Sequence, residues 1–266
     1  MTSCRPFELL WKRNLTPSAS LLRFAVADGL PLGGHGRTAP TGVKVHVPAT
    51  GLEKSYSPVS HPAQAGSFDL LVKAYPPRAG GGVGAYICAL QPGEKESQAE
   101  FGYLAGAPLS PGRWKQIGLV ACGTGLAPLY QVATQVLAWN SGTRTMPQGI
   151  SMVLACRTEE DILMREELDL MVRNPCFRLH TQLSMPTGGW PAKSSGRITS
   201  KTLGDCLPAP DASSMILVCG TDGFVDTVAG PIQRITLPNG QKRKCQGPLG
   251  GFLAELGYVP EQVHKF

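Results

Sequence analysis

Ile117-Gly118-Leu119-Val120-Ala121-Cys122 is an unbroken apolar run that stops at Gly123-Thr124-Gly125. A short run without polar alternation is the mark of a strand buried on both faces, as in a parallel sheet. Pro128 then stands where a first helical turn tolerates it, and Leu129, Val132, Val136 and Leu137 recur at helical spacing. The rhythm repeats. Ser151-Met152-Val153-Leu154-Ala155-Cys156 is a second buried run, and Thr158 with Asp161 forms an N-cap pair ahead of a helix face marked by Met164, Leu168 and Met171. Residues 177–183 and 215–219 supply a third and a fourth strand. Strand, helix, strand, helix, strand specifies an α/β domain on a parallel sheet.

The first hundred residues read differently. Residues 21–26, 43–47 and 68–75 are strand-like, and Val43-Lys44-Val45-His46-Val47 alternates apolar and polar. Gly/Pro/Ser clusters at 29–36 and 58–66 punctuate them. Short strands so punctuated predict a small antiparallel barrel or sandwich. The change of character falls at 106–116, which places a β-rich domain at 1–111 and an α/β domain at 112–266. Chains of two such domains commonly bind ligands where the domains meet.

In 266 residues, 42% hydrophobic content excludes wholesale disorder, and no apolar run approaches the roughly 18–20 residues that span a bilayer. A cytoplasmic protein, or one peripheral on an intracellular membrane, is expected; Arg5, Lys12 and Arg13 against Glu8 keep a mitochondrial leader open. The net charge of +6 calls for no nucleic-acid partner, and the densest basic run, Lys242-Arg243-Lys244, reads as a solvated loop. Eight cysteines include no C-x-x-C pair, and the five histidines show no metal spacing, so no metal site is expected. Cys122 and Cys219 end apolar runs and read as small buried hydrophobes in a reducing compartment.

The turn Gly123-Thr124-Gly125 follows a strand and opens a helix, whose free N–H groups and partial positive charge suit a phosphate. With Pro128 in the third slot the G-x-G-x-x-G pattern is incomplete, and no Lys-Ser/Thr makes it a P-loop. By itself it fits a plain tight turn equally well. Likewise Cys219-Gly220, followed by Thr221-Asp222-Gly223-Phe224, sits where ligands gather at the carboxyl ends of strands.

Three segments in order carry a resemblance. Lys54-Ser55-Tyr56-Ser57-Pro58-Val59-Ser60 resembles the flavin motif Arg-x-Tyr-Ser/Thr-x-x-Ser. Gly123-Thr124-Gly125-Leu126-Ala127-Pro128 resembles the pyridine-nucleotide motif Gly-Thr-Gly-Ile-x-Pro, and Cys219-Gly220 the Cys-Gly motif beside the nicotinamide. Residues 158–168 and the end at Leu256-Gly257-Tyr258 and Phe266 are similar too. The chain thus resembles the ferredoxin–NADP reductase superfamily, and within it the NADH–cytochrome b5 reductases, from about Phe7 to Phe266.

The resemblance implies an antiparallel FAD-binding barrel followed by an α/β NAD(P)-binding domain. It implies catalytic roles for Tyr56, against the isoalloxazine, Ser57, near flavin N5, Lys73 and Cys219. Lys54 and Ser55 would hold FAD with Leu71, Lys73 and Tyr75. Gly81, Gly82, Val83 and Gly84 would underlie the pyrophosphate. Thr124 would lie close to the flavin, and Gly123, Gly125, Pro128, Gly220 and Phe224 would line the dinucleotide path, with Ser184 at its adenosine end. A hydride would pass from NADH to FAD, and single electrons to an acceptor protein, cytochrome b5 above others, from a monomeric enzyme. A ferredoxin, an oxygenase component or a quinone is the alternative acceptor, and a flavin-free binding module on the same fold the alternative function.

Lys54 stands for arginine, a point charge for a planar fork, and Gly84 for a serine; both departures bear on how tightly FAD is held. Met185 supplies no cation for a 2′-phosphate, which favours NADH, while Arg157 keeps NADPH as the alternative.

Overall fold

Phe7 and Leu9 are buried while Pro6, Glu8 and Leu10 are exposed, so the first strand, β1 (Arg5–Thr16), has one apolar face. The computed structural model describes residues 5–26, 29–32, 41–61, 63–74, 82–93, 98–105, 113–139, 149–236 and 242–266. Tyr75, Gly81 and the expected junction at 106–112 lie outside the described residues. The chain divides into two compact units, Met1–Leu109 with Tyr130–Ala138, and Ser110–Leu129 with Trp139–Phe266.

In the first unit, β1 is joined by β2 (Ala19–Ala25), β3 (Thr41–Val47), β4 (Leu52–Tyr56), β5 (Ser67–Lys73) and β6 (Gln98–Ala105). The order is β4-β3-β6-β1-β2-β5, antiparallel throughout. The two edge strands are then stitched together. Just past β4, Pro58 bridges Leu70, the Val59 N–H donates to the Asp69 carbonyl at 2.8 Å, and the Asp69 N–H donates to Ser60 Oγ at 3.1 Å. That seam closes the sheet on itself and removes two free edges, as the expected barrel requires.

Arg23 guards the seam from β2. Its Nε donates to Asp69 Oδ1 at 2.6 Å and its Nη2 to Oδ2 at 2.8 Å, a two-pronged pair, and the guanidinium lies 5.0 Å from the Trp11 ring centroid. Inside, Phe68 meets Phe7 edge-on at 5.5 Å and stacks on Phe24 at 5.7 Å. Val43, Val45 and Val47 alternate inward from β3. Helix α1 (Val83–Ala89) adds Val83 and Ile87 to this core. The Cys88 carbonyl at its end accepts from Lys12 Nζ at 2.6 Å, which satisfies one of the orphan groups of a helix C-terminus.

In the second unit, β7 (Gln116–Cys122), β8 (Gly149–Cys156), β9 (Phe177–Leu183), β10 (Ser214–Cys219) and β13 (Val263–Lys265) form a parallel sheet in the order β13-β10-β7-β8-β9. Helix α2 (Leu126–Trp139) begins in this unit, though its residues Tyr130–Ala138 are grouped with the first, and helices α3 (Arg165–Val172), α4 (Ser200–Cys206), α5 (Asp222–Ala229) and α6 (Gly251–Glu255) connect or follow the strands. The expected faces hold. Leu129, Val132 and Val136 are fully buried on α2, though Leu137 of the expected face is only half-buried, and Met164, Leu168 and Met171 are buried at α3. Thr158 and Asp161 form a reciprocal cap, but on a short 3₁₀ turn at Glu159–Asp161 before α3. One core joins Val120, Ile216 and Val218 of the sheet to Leu203, Val225, Val228 and Leu253 of the helices.

Lys242-Arg243-Lys244, read from sequence as a loop, is a strand. It belongs to β12 (Lys242–Cys245), paired antiparallel with β11 (Gln233–Thr236). Both strands are too polar for apolar alternation to reveal them. The Pro238-Asn239-Gly240 segment between them carries the hairpin signal that composition hid. The edge of β13 is sealed by a side chain: the Gln246 amide donates to the Lys265 carbonyl at 3.0 Å and accepts from the Lys265 N–H at 2.7 Å. Among the described residues no helix is long and apolar enough to cross a membrane.

Candidate functional site

The flavin-motif residues fall at the barrel seam. Tyr56 ends β4 opposite Val43, and Pro58 to Ser60 are the stitches just described. Lys54 and Ser55 are exposed, Tyr56 and Ser57 half-buried, and the Lys54 ammonium lies 5.3 Å from the Tyr56 ring centroid. Tyr56 packs its inner side on the barrel core. One tyrosine edge is therefore fixed by packing while a cation stands over its ring.

Lys73 ends β5, and Gly84 lies in the first turn of α1. A β-carbon on Gly84 would stand 2.6 Å from the Lys73 carbonyl oxygen and 3.5 Å from the Tyr56 hydroxyl. The missing side chain brings β4, β5 and α1 together at one point, so three separately predicted segments share one place. Gly82, just before α1, is exposed, and a β-carbon there would meet nothing within 4 Å. Val83 is buried in the core, and Leu71 is buried in mid-strand opposite Leu21. Val83 belongs to the barrel core, whereas Leu71 faces the other side of β5 from Leu70 and Val72, so neither presents a surface at this point. The exposed backbone at Gly82 and the charges of Lys54 and Lys73 are groups that could hold a phosphate-bearing flavin nucleotide.

The second cluster belongs to the α/β unit. Gly123 has φ +55°, a left-handed conformation that favours glycine, and has open space where a β-carbon would be. Gly125 is confined instead. A β-carbon there would lie 2.7 Å from the Gly220 nitrogen and closer still to the Cys219 carbonyl. The turn after β7 thus rests on the turn after β10. Gly220 is equally constrained: a β-carbon would stand 2.6 Å from the Phe224 ring and 3.1 Å from Cys122 Cβ. Thr124 is half-buried beside these glycines, and Pro128 is buried in the first turn of α2. Two glycine turns in backbone contact, at the carboxyl ends of adjacent parallel strands, form a surface on which a dinucleotide can lie against main chain.

Burial pushes the Cys219 thiol up to about 12, against a smaller opposing pull from Lys244 on β12. It is a neutral thiol at physiological pH, unsuited to proton transfer there. Cys156, at the end of β8, is raised to about 12 by the same cause. Ser184 is exposed just beyond β9, its N–H donating to the Cys156 carbonyl at 3.0 Å. Arg157, the candidate cation for a 2′-phosphate, lies 3.6 Å from the Asp161 carboxylate.

Sequence reasoning missed two supports. Arg234 of β11 donates to both oxygens of Asp222, at 3.0 and 2.7 Å, which ties the basic hairpin to the first residue of α5 beside Gly220. The Arg23–Asp69 pair clamps the seam. Their partners are 12 and 46 residues apart, so no local pattern announces them.

Residues 6–98 match the Oxidoreductase FAD-binding domain family, and residues 119–230 the Oxidoreductase NAD-binding domain family. The chain is 30% identical over 270 residues to an NADH-cytochrome b5 reductase-like protein of Arabidopsis thaliana, covering 98% of this chain and 76% of the relative. It is 33% identical over 216 residues to NADH-cytochrome b5 reductase 2 of Coccidioides immitis, covering 80% of this chain and 61% of that relative. The crystal structure of the cytochrome b5 reductase domain of Ulva prolifera nitrate reductase superposes with a TM-score of 0.76 at 23% identity, over 99% of this chain and 97% of that one.

Proposed function

The chain belongs to the NADH–cytochrome b5 reductase family of FAD- and NAD-binding oxidoreductases, and from that premise we propose that it takes a hydride from NADH onto FAD and passes electrons singly to cytochrome b5. The observation that carries this reading is the meeting of Tyr56, Lys73 and Gly84 at one point of the barrel, in a chain whose α/β unit brings its two glycine turns into contact.

A bound flavin supplies the conversion of a two-electron donor into a source of single electrons. The protein's part is to bind and orient. Tyr56, held by core packing, would offer the flavin ring a face, and Ser57 beside it would offer a hydroxyl or amide to flavin N5. Lys54 would supply positive charge for the FAD phosphates, and Lys73 a positive charge near flavin and nicotinamide nucleotide. The exposed main chain at Gly82 would take the pyrophosphate, while Gly84 lets α1 pack against the end of β5. In the α/β unit, Gly123, Gly125 and Gly220 let the reduced dinucleotide lie against backbone. The neutral Cys219 thiol gives the nicotinamide a soft, uncharged neighbour. Hydride transfer needs no strong acid or base, and the site offers orientation in place of proton transfer.

Met185 is 63% exposed without charge, which favours NADH over NADPH, although the exposed Arg157, 3.6 Å from Asp161, keeps NADPH as the alternative. The charge of +6 suits an acidic acceptor. The test is a visible spectrum under anaerobic conditions, with NADH and NADPH added in parallel, followed by turnover with cytochrome b5 and with ferricyanide. Flavin absorbance bleached first by NADH, and reduction of cytochrome b5, are expected. A colourless protein that calorimetry shows not to bind FAD overturns the reading. Turnover with ferricyanide but not cytochrome b5 would keep the flavoenzyme and move the acceptor to a ferredoxin, an oxygenase component or a quinone.

A further inference from the structure

Lys265, the penultimate residue, is 5% exposed. Its ammonium has no carboxylate within ion-pair distance among the described residues. It is surrounded by main-chain oxygen instead. Nζ lies 2.8 Å from the Pro248 carbonyl and 2.9 Å from that of Pro231, with those of Ala229, Gly230 and Gly247 at 3.4, 3.5 and 3.5 Å. These oxygens come from two stretches, one leaving α5 toward β11 and one following β12.

An ammonium has three protons, so it cannot bond five oxygens one by one. Two short bonds and three long ones are the signature of a shell larger than its occupant's donor count. Shells of convergent backbone carbonyls are how proteins replace the hydration of a monovalent cation. Glycine and proline at four of the five positions leave those carbonyls outside helix and sheet; Ala229 ends α5, and its carbonyl also accepts from the Gly250 N–H at 3.0 Å. Gly230 and Gly247 have φ of +80° and +64°, and a β-carbon on Gly247 would run into the Pro231 carbonyl. Two of the five positions thus rest on backbone that favours glycine.

We propose that these five carbonyls form a monovalent-cation site that the Lys265 ammonium fills from within the chain, and that this tethered cation pins both feet of the β11–β12 hairpin to the sheet. The backbone of Lys265 is held on the same side by the Gln246 amide, and the Phe266 N–H donates to the Val218 carbonyl at 3.0 Å, one residue before Cys219. The hairpin's other anchor, Arg234 on Asp222, lies beyond the same strand end. Burial draws the Lys265 pKa below its ordinary value, against a smaller upward pull from Asp226 on α5, and the carbonyl dipoles side with the charged form.

The test is the thermal midpoint of the full-length Lys265→Gly protein in choline, potassium and ammonium chloride at equal ionic strength, beside wild type and Lys265→Met. In choline the glycine variant should melt about 5–10 °C below wild type. Potassium or ammonium should restore at least half of that loss. Wild type should not distinguish the salts. Lys265→Met should be destabilised and gain nothing from either cation, because its side chain occupies the shell. A glycine variant that behaves alike in all three salts, or folds in none, overturns the proposal. A second measurement needs no variant to fold: in ¹⁵N-labelled wild type at neutral pH, one lysine ammonium should show slowly exchanging protons. Failure to detect any such signal would also overturn it.

Discussion

The carbonyl oxygen of Lys73 lies 2.6 Å from the point where Gly84 would carry a β-carbon. Backbone cannot yield as a flexible side chain can, so this glycine is a packing requirement. Gly84→Ala and Gly84→Ser should each destabilise the protein by about 1–3 kcal/mol, the usual cost of overpacking. Urea denaturation would measure it. Adding the serine hydroxyl should therefore not tighten FAD binding. A Gly84→Ser protein that is as stable as wild type and binds FAD better would contradict the packing argument.

Gly123 and Gly125 should respond differently to the same change. Gly123→Ala has room and pays only for its positive φ, about 1 kcal/mol. Gly125→Ala must part the two strand-end turns. We expect NADH KM to rise at least tenfold in Gly125→Ala and only a few-fold in Gly123→Ala, with flavin content unchanged in both. Steady-state kinetics on purified variants would check the order, and a reversed order would refute the contact as the cause.

The seam should be a stability element. Asp69→Ala leaves the Arg23 guanidinium without its carboxylate, and the pair is only partly exposed at 34% and 11%. A loss of about 2 kcal/mol is expected, against about 1 kcal/mol for Ser60→Ala, which removes one acceptor from a backbone N–H. Because both changes act on one stitch, the double variant should lose less than the sum. Chemical denaturation of the four proteins closes the cycle.

Alkaline pH should weaken the fold. Cys156 and Cys219 have folded values of about 12 against an ordinary 9.0, because burial disfavours the thiolate. Below pH 9 the folded and unfolded chains both keep the protons, and stability is at its full value. Between about 9 and 12 the unfolded chain loses protons that the folded chain retains, so stability falls as pH rises. At pH 8 iodoacetamide should label both thiols about a thousandfold more slowly than free cysteine. Peptide mass spectrometry would read this, and rapid labelling of Cys219 in folded protein would refute its neutral state.

The parallel sheet was legible because its inner strands are apolar on both faces: every residue from Ile117 to Ala121 is buried. Glycine turns at the ends of β7 and β10 were equally plain. β4 escaped because Leu52 to Ser55 are all exposed and alternate with nothing. It is a strand by pairing with β3 alone, and it carries Tyr56. β13, three residues long, is too short to show a period. The basic hairpin was hidden by charge. What sequence could not supply was contact across distance, as between Arg23 and Asp69 or between Gly84 and Lys73. There the residue types were visible and their partners were not.

Gln246 lends its amide to Lys265 as though it were one more residue of a neighbouring strand. A foreign peptide seeking to extend the sheet from that border would find the donor and the acceptor there already engaged. The molecule therefore carries a built-in stop against cross-chain strand addition at this border, where an unguarded edge would be a template for aggregation. Gln246→Ala would lift it without touching any residue assigned to nucleotide or flavin.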